Sequence, residues 1–289
     1  MALAAIGALC FAAPAGPTPA SGQPDASWAR EAVPGERAVP AECVEPWASA
    51  TSADVQGVLE TLRDRRVVVP VHAHVLRSAS GGGVPRSRVE RQIRVLNDAY
   101  AGGQSARSAR SPFHFRLVDV DVTVNRSWRR MDPGSRAERQ AKRALHRGDA
   151  GDLNLYIGGN RARLLGWATR PTEYGNAPSM DGVVIARHTM PGGRGGHYSA
   201  GDVAVHETGH WLGLFHTFAG KCGRRGDLVA DTPRESRASY TCPRGRNTCP
   251  WPGRDPIHNF LDYSYDRCMN QFTRGQVVRM MRSWHAFRG

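Results

Sequence analysis

Residues 206–216 read His-Glu-Thr-Gly-His-Trp-Leu-Gly-Leu-Phe-His. On a helix, His206 and His210 lie four positions apart and project from one face. Two imidazoles so presented grip a single zinc ion at roughly 2.0–2.1 Å each. Glu207 stands beside the first ligand, where its carboxylate reaches a water rather than the ion. Gly213 can take a positive φ that ends the helix and turns the chain sharply, which returns His216 as a third nitrogen ligand. Three protein ligands leave one tetrahedral position for water, the arrangement of a hydrolytic site. With five residue types fixed, the match arises by chance roughly once in ten thousand such chains. A purely packing role would leave three imidazoles and a carboxylate beside Val205, Leu212 and Leu214 in need of other polar partners.

The elements around this motif follow from patterning. The run 67–76 is β-rich despite Pro70, which suits an edge or a bulge. Residues 78–85 form a glycine-rich turn, and Ser87 is placed to cap a helix whose Val89, Ile93, Leu96 and Tyr100 share a face. Phe113, Phe115 and Leu117 alternate, then Val118, Val120, Val122 and Val124 alternate in the opposite phase, which predicts a bulge near Leu117–Val118. Leu153, Leu155 and Ile157 mark another strand, 164–169 a short one and 181–186 a further one. Asp202 is placed to cap the motif helix, and Thr273 a last helix with Val277, Met280, Trp284 and Phe287 on one face. No internal repeat is present.

The chain has 289 residues, 40% hydrophobic and 22% charged, enough to bury a sizeable core. No apolar run is long enough to span a bilayer. Residues 2–13 are almost wholly apolar, with small-residue cleavage points at Ala13-Pro14-Ala15 and Thr18-Pro19-Ala20, and read as a secretory signal over 1–20. No Lys or Arg precedes that segment. Residues 21–66, rich in Pro, Ala, Ser and Glu, read as a pro-segment or linker with one short helix around Val55, Leu59 and Leu62. The catalytic domain is expected over 67–289. The net charge of +13 is carried by arginine, since Lys142 and Lys221 are the only lysines. The arginines are scattered rather than massed, and no nucleic-acid motif accompanies them, so a specific nucleic-acid partner is not expected.

His-Glu-x-x-His-x-x-Gly-x-x-His is the signature of the metzincin metalloproteases. The stretches His216-Thr217-Phe218 to Cys222, Gly226-Asp227-Leu228-Val229-Ala230-Asp231-Thr232-Pro233, 255–264 and 268–273 resemble the pappalysin family, especially its secreted bacterial and fungal members. So do 91–102 and 164–169, and the likeness covers roughly 67–289. The resemblance implies an α+β fold. Its upper subdomain would hold a twisted, mostly parallel sheet and two long helices; its lower subdomain would be irregular, disulfide-stapled and closed by a C-terminal helix. It implies a monomeric secreted endopeptidase for protein or peptide substrates, which would lie extended along the edge strand at 164–169. Glu207 would be the general base and Tyr263 would steady the oxyanion. A catalytically inactive zinc-binding protein, an adhesin or inhibitor, is the alternative; the presence of Glu207 argues against it, since holding zinc needs no base there. The family carries a methionine beneath the zinc in an Asn-Phe-Met-Asp-Tyr turn, where this chain has Leu261. Leucine conserves apolar volume, so chemistry should survive with some loss of rigidity.

Four lower-subdomain cysteines allow three pairings; the resemblance favours Cys222–Cys249 and Cys242–Cys268. No Cys-x-x-Cys spacing supports a thiolate zinc site. Asp227 and Thr232 match positions that bind calcium in a relative, and oxygen ligands suit that ion. Arg63, Arg65 and Arg66 form a plausible processing zone, where self-cleavage would fit the Arg/Lys preference of some relatives; N-terminal sequencing of the product from the wild type and a Glu207 variant tests this. Cys10 belongs to the signal, which leaves Cys43 unpaired in the pro-segment. In a pro-segment its thiolate would take the open zinc position and hold the enzyme latent, as in some metzincins; an incidental free thiol is the alternative. Thiol-reactive reagents should then activate the full-length chain, measured as peptide hydrolysis before and after treatment; unchanged activity counts against such a switch.

Overall fold

The computed structural model describes residues 57, 66–159 and 164–289. The signal, Cys10, Cys43, Arg63, Arg65 and the short helix around 55–62 (Gly57 apart) lie outside the described residues.

Strands β1 (Val67–Arg77), β2 (Phe113–Val124), β3 (Leu153–Gly158), β4 (Gly166–Ala168) and β5 (Val183–Ala186) form one sheet in the order β2-β1-β3-β5-β4. All pairings are parallel except β4 with β5. β1 is an interior strand, but its pairing with β3 begins only at Val71. Pro70, which has no N–H to give a ladder, therefore lies where that side is still open. Val71 pairs with Leu117 and His72 with Asp119, so Val118 is the extra residue of a bulge. The bulge inverts the alternation of β2.

Helix α1 (Arg86–Tyr100) and helix α3 (Asp202–Trp211) cover one face of the sheet. There Val71, Ala73, Val75, Leu155, Ile157 and Ile185 pack with Ile93, Leu96, Tyr100 and Val205, and with Met280 and Trp284 of α4 (Arg274–Phe287). α2 (Arg136–Leu145) covers the other face with Met131, Tyr156, Trp167 and Val184. No sequence pattern above assigns α2. Its inward face includes the buried Glu138 and Lys142, joined at 3.0 Å, so apolar periodicity is weak. Trp167 Nε1 donates to Glu138 at 2.7 Å, which ties β4 to α2.

Two cap assignments need correction. α1 begins at Arg86 with Pro85 as N-cap, so Ser87 is inside the helix. Asp202 is the first residue of α3, whose N-cap is Gly201 at φ +108°, a conformation that favours glycine. Thr273 caps α4, with its side chain accepting from the Gln276 amide.

The chain after α3 is irregular until α4. Cys222–Cys249 and Cys242–Cys268 are disulfide-bonded in this stretch. Arg288 closes the fold. Its guanidinium makes paired bonds to Asp181 at 3.0 and 3.1 Å and donates to the Trp211 carbonyl at 2.9 Å. Asp181 also accepts from Trp211 Nε1 and Thr169 Oγ1, each at 2.8 Å. Removing one partner of a buried pair strands the other charge, at about 3–5 kcal/mol. Arg288→Ala should lose stability on that scale in urea unfolding; a loss under about 1 kcal/mol, the scale of an exposed pair, would reject this role.

Candidate metal centre

α3 is buried along its whole length, so its histidines are presented inside the molecule. His206 and His210 share one face, and the helix stops one turn later. The Gly213 amide bonds the His210 carbonyl and the Leu214 amide bonds the Gly209 carbonyl, each at 2.9 Å. Those are the two bonds of a Schellman end. Gly213 takes φ +96°, and a Cβ there would meet Ser283 Oγ at 2.5 Å. The turn sends the chain back so that His216 faces the other two rings.

The three Nε2 atoms stand 3.0, 3.0 and 3.1 Å apart. His206 Nδ1 lies 2.5 Å from the Phe260 carbonyl and His210 Nδ1 2.8 Å from the Leu214 carbonyl. A carbonyl only accepts, so each of these Nδ1 atoms carries the proton and each Nε2 presents its lone pair inward. Lone pairs converging this closely suit a shared cation. Ligand atoms at about 2.0–2.1 Å from a tetrahedral ion would stand about 3.3 Å apart, close to the triangle present. Among the described residues, this trio is the group of His, Cys, Asp and Glu side chains gathered tightly enough to hold one ion.

Glu207 is fully buried and points at β4. A Cβ on Gly166 would fall 2.7 Å from Glu207 Oε1, so the carboxylate stands against the edge strand only because position 166 is glycine. Tyr263 Oη lies 3.1 Å from His216 Nε2 and completes the rim. Leu261 is fully buried beneath α3, and a Cβ on Gly209 would be 3.1 Å from its Cδ2.

Several supports carry no sequence signal read above. Asp266 Oδ2 accepts from the Ala200 amide at 2.7 Å, at the mouth of α3. Burial pushes its carboxyl up to about 6, and the amides of Ala200, Gly201 and Asp202 oppose the rise. Burial and the nearby Asp266 push Asp202 up to about 8. Below His216, Thr217 Oγ1 donates to Glu235 at 3.0 Å, and Arg246 bridges Glu235 and Asp255. Burial, with Asp262 nearby, raises the Glu235 carboxyl.

Asp227 and Thr232 are buried close to one another in sequence, with Leu228 between them at φ +65°. Asp227 Oδ1 accepts from the Val229 amide at 3.1 Å. Asp227 Oδ2 and Thr232 Oγ1 are buried without a well-formed hydrogen bond. Burial pushes Asp227 up to about 8.

A three-histidine cluster under an antiparallel edge strand, with a carboxylate between them, defines a metallopeptidase of metzincin type. The model of the pregnancy-associated plasma protein-A peptidase family matches residues 196–284. Extracellular metalloprotease 1 of Coccidioides posadasii is 39% identical over 246 residues, which cover 83% of this chain and 82% of that protein. An extracellular metalloprotease of Colletotrichum graminicola is 42% identical over 230 residues, 77% and 78% of the two chains. Among solved structures, mature Tannerella forsythia mirolysin with a cleaved peptide aligns at TM-score 0.63 and 28% identity, over 75% of this chain and 91% of its own. A promirolysin variant from the same organism aligns at TM-score 0.65 and 25% identity, over 82% and 88%. The chain belongs to the pappalysin family of metalloproteases and is an extracellular metalloendopeptidase.

Proposed function

We propose that the metal is zinc, held by Nε2 of His206, His210 and His216, and that the chain cuts peptides laid in extended form along β4. The observation carrying this reading is the inward triangle of Nε2 atoms with Glu207 pressed against Gly166. Imidazole nitrogens suit zinc, and three of them leave an open position. When bound, the ion supplies a Lewis acid that polarises the scissile carbonyl and brings the pKa of water toward neutrality.

Among the described residues β4 pairs with β5 alone, and its other edge is the one to which a substrate strand would add. Main-chain hydrogen bonds to that edge hold the peptide in register, and side-chain pockets supply choice. Glu207 lies where the strand and the histidines meet. It takes the proton of the attacking water and passes it to the leaving amine. The Tyr263 hydroxyl, on the far side near His216, donates to the oxygen that gains charge. The chain works as a monomer on protein or peptide substrates. No described helix is long and apolar enough to cross a membrane.

A second ion, calcium, is proposed at Asp227 and Thr232, where a hard cation would engage the two buried side-chain oxygens and offset the burial of the carboxylate. Residues 1–20 and 21–66 are proposed as signal and pro-segment, with Cys43 as the latency ligand.

Glu207→Ala should keep one zinc per chain by atomic emission while losing roughly 10²–10⁴-fold in turnover. Tyr263→Phe should lower kcat roughly 10²–10³-fold with KM little changed. Full peptide hydrolysis by the Glu207 variant, or no zinc in the wild type, would refute the assignment. For the second ion, calcium returned to chelated protein should raise Tm in the wild type and not in Asp227→Ala. A wild-type Tm indifferent to calcium removes that site.

A further inference from the structure

Arginines that are scattered along the chain are gathered by the fold at one end of the sheet. Arg88 lies in the first turn of α1, which follows β1. Arg129 and Arg130 lie in the turn after β2, and Arg187 directly follows β5. All three connections leave the carboxyl ends of parallel strands. In the order β2-β1-β3-β5 the chain passes from β1 to β2 on one side, and from β3 toward β5 on the other. Open parallel sheets take ligands beyond the carboxyl ends of their strands at such a reversal.

Main-chain hydrogen bonds hold the group together. The Gly159 amide donates to the Arg129 carbonyl at 2.8 Å, and the Arg187 amide donates to the Gly158 carbonyl at 2.7 Å. Both arginines therefore hang on the end of β3. Arg88 Nε and Nη2 donate to the Pro191 and Met190 carbonyls at 3.0 and 3.2 Å, which ties α1 to the loop after Arg187. The Arg129 side chain runs back over the glycine-rich turn, where a Cβ on Gly82 would fall 2.9 Å from its Nε.

No acid neutralises these charges. Among the described residues, no carboxylate pairs with Arg88, Arg91, Arg129, Arg130 or Arg187. Burial, then Arg91 and Arg187, lower the pKa of Arg88; burial, then Arg187 and Arg130, lower that of Arg129. Arg187 thus stands between the other two and feels both. A merely solvated face would keep its guanidinium nitrogens in water. Arg129 Nε is instead buried without a hydrogen-bond partner. Like charges held this way repel, and an anion among them removes the penalty.

We propose that Arg88, Arg129, Arg130 and Arg187 form a binding site for a doubly charged tetrahedral oxyanion, a phosphate or sulfate group. The site shares no residue with the metal centre, and it does not depend on the peptidase reading. A planar guanidinium offers paired donors that match the oxygens of such a group, and several of them converge here. Glycine at 82 and 193 lets the guanidinium groups lie close to the backbone, since a Cβ on Gly193 would come 2.7 Å from Arg88 Nη2. The group arrives either as the free ion or as an ester on a sulfated polysaccharide.

The test is isothermal titration calorimetry of the full chain at constant ionic strength, set with sodium chloride. The probes are inorganic phosphate, inorganic sulfate, heparin and desulfated heparin. Saturable binding of one inorganic ion per chain identifies the free ion as ligand. Saturable binding of heparin alone, absent with the desulfated polymer, identifies the ester. In either case Arg187→Ala should weaken binding roughly 10–100-fold, while Arg116→Ala, at an exposed arginine in the first half of β2, should change it less than about 3-fold. Unchanged peptide hydrolysis shows that the Arg187 variant is folded. Should it fail to fold, Arg130→Ala, at an exposed position, should weaken binding in the same sense. Binding of none of the probes, equal binding of the desulfated polymer, or equal losses in the Arg187 and Arg116 variants would overturn the proposal.

Discussion

Three imidazole Nε2 atoms are made to face one another across 3.0–3.1 Å in a buried space. Without a cation this arrangement is unfavourable, so the scaffold must impose it. Two backbone carbonyls do much of that work. The Phe260 carbonyl fixes His206 and the Leu214 carbonyl fixes His210, each setting the tautomer that turns Nε2 inward. Leu214 has a second task, because its amide closes the helix on the Gly209 carbonyl. One turn therefore ends the helix, orients a ligand and redirects the chain toward His216. A side chain at position 213 would collide with Ser283, so the glycine is required by both conformation and space.

A ten-residue helix has little stability of its own, and α3 is gripped at both ends by residues distant in sequence. The Asp266 carboxylate meets the amides at its N-terminal mouth, and the Arg288 guanidinium meets the Trp211 carbonyl at its C-terminal end. Anion at the start and cation at the end is the sense the helix dipole favours. Asp266 lies within the loop-rich stretch, near the Cys242–Cys268 disulfide, and Arg288 directly follows α4. The irregular lower part thus acts as the clamp for the metal-bearing helix. Glu138 extends the same logic to the substrate side, since its bond to Trp167 anchors the edge strand to α2.

What the sequence revealed and what it hid divide along physical lines. Residues whose meaning is local were legible. The phase slip in β2 became the unpaired Val118, and Thr273 with Gln276 became a capping box. The histidine spacing maps onto one helical face and one turn. Residues that act across the fold were silent: nothing in the spacing of Asp266 or Arg288 says which helix end each will meet. The cap expected of Asp202 passed to Gly201 for the same reason, because the carboxylate at the helix mouth comes from another segment. α2 escaped because its buried face carries Glu138 and Lys142, although Ser135 followed by Glu138 is a capping signal. Gly166 lies within the family-like stretch 164–169, yet its purpose is visible only when the Glu207 carboxylate is seen against it.

The turn beneath the histidines shows what holds position 261, where this chain has leucine. What the helix asks of that residue is apolar volume against Gly209, and Leu261 supplies it at contact distance. Rigidity comes from elsewhere. Asn259 and Gln276 exchange two amide hydrogen bonds at 2.8 and 3.0 Å, which fasten the turn to α4. The Leu261 amide is held by Asn259 Oδ1 at 3.0 Å, and its carbonyl accepts from the Thr217 amide at 3.1 Å. The side chain of residue 261 takes part in none of these bonds. The backbone that positions the Phe260 carbonyl for His206 is thus held by polar contacts to which residue 261 contributes only main-chain groups, and a loss of rigidity from the swap would act through packing under α3.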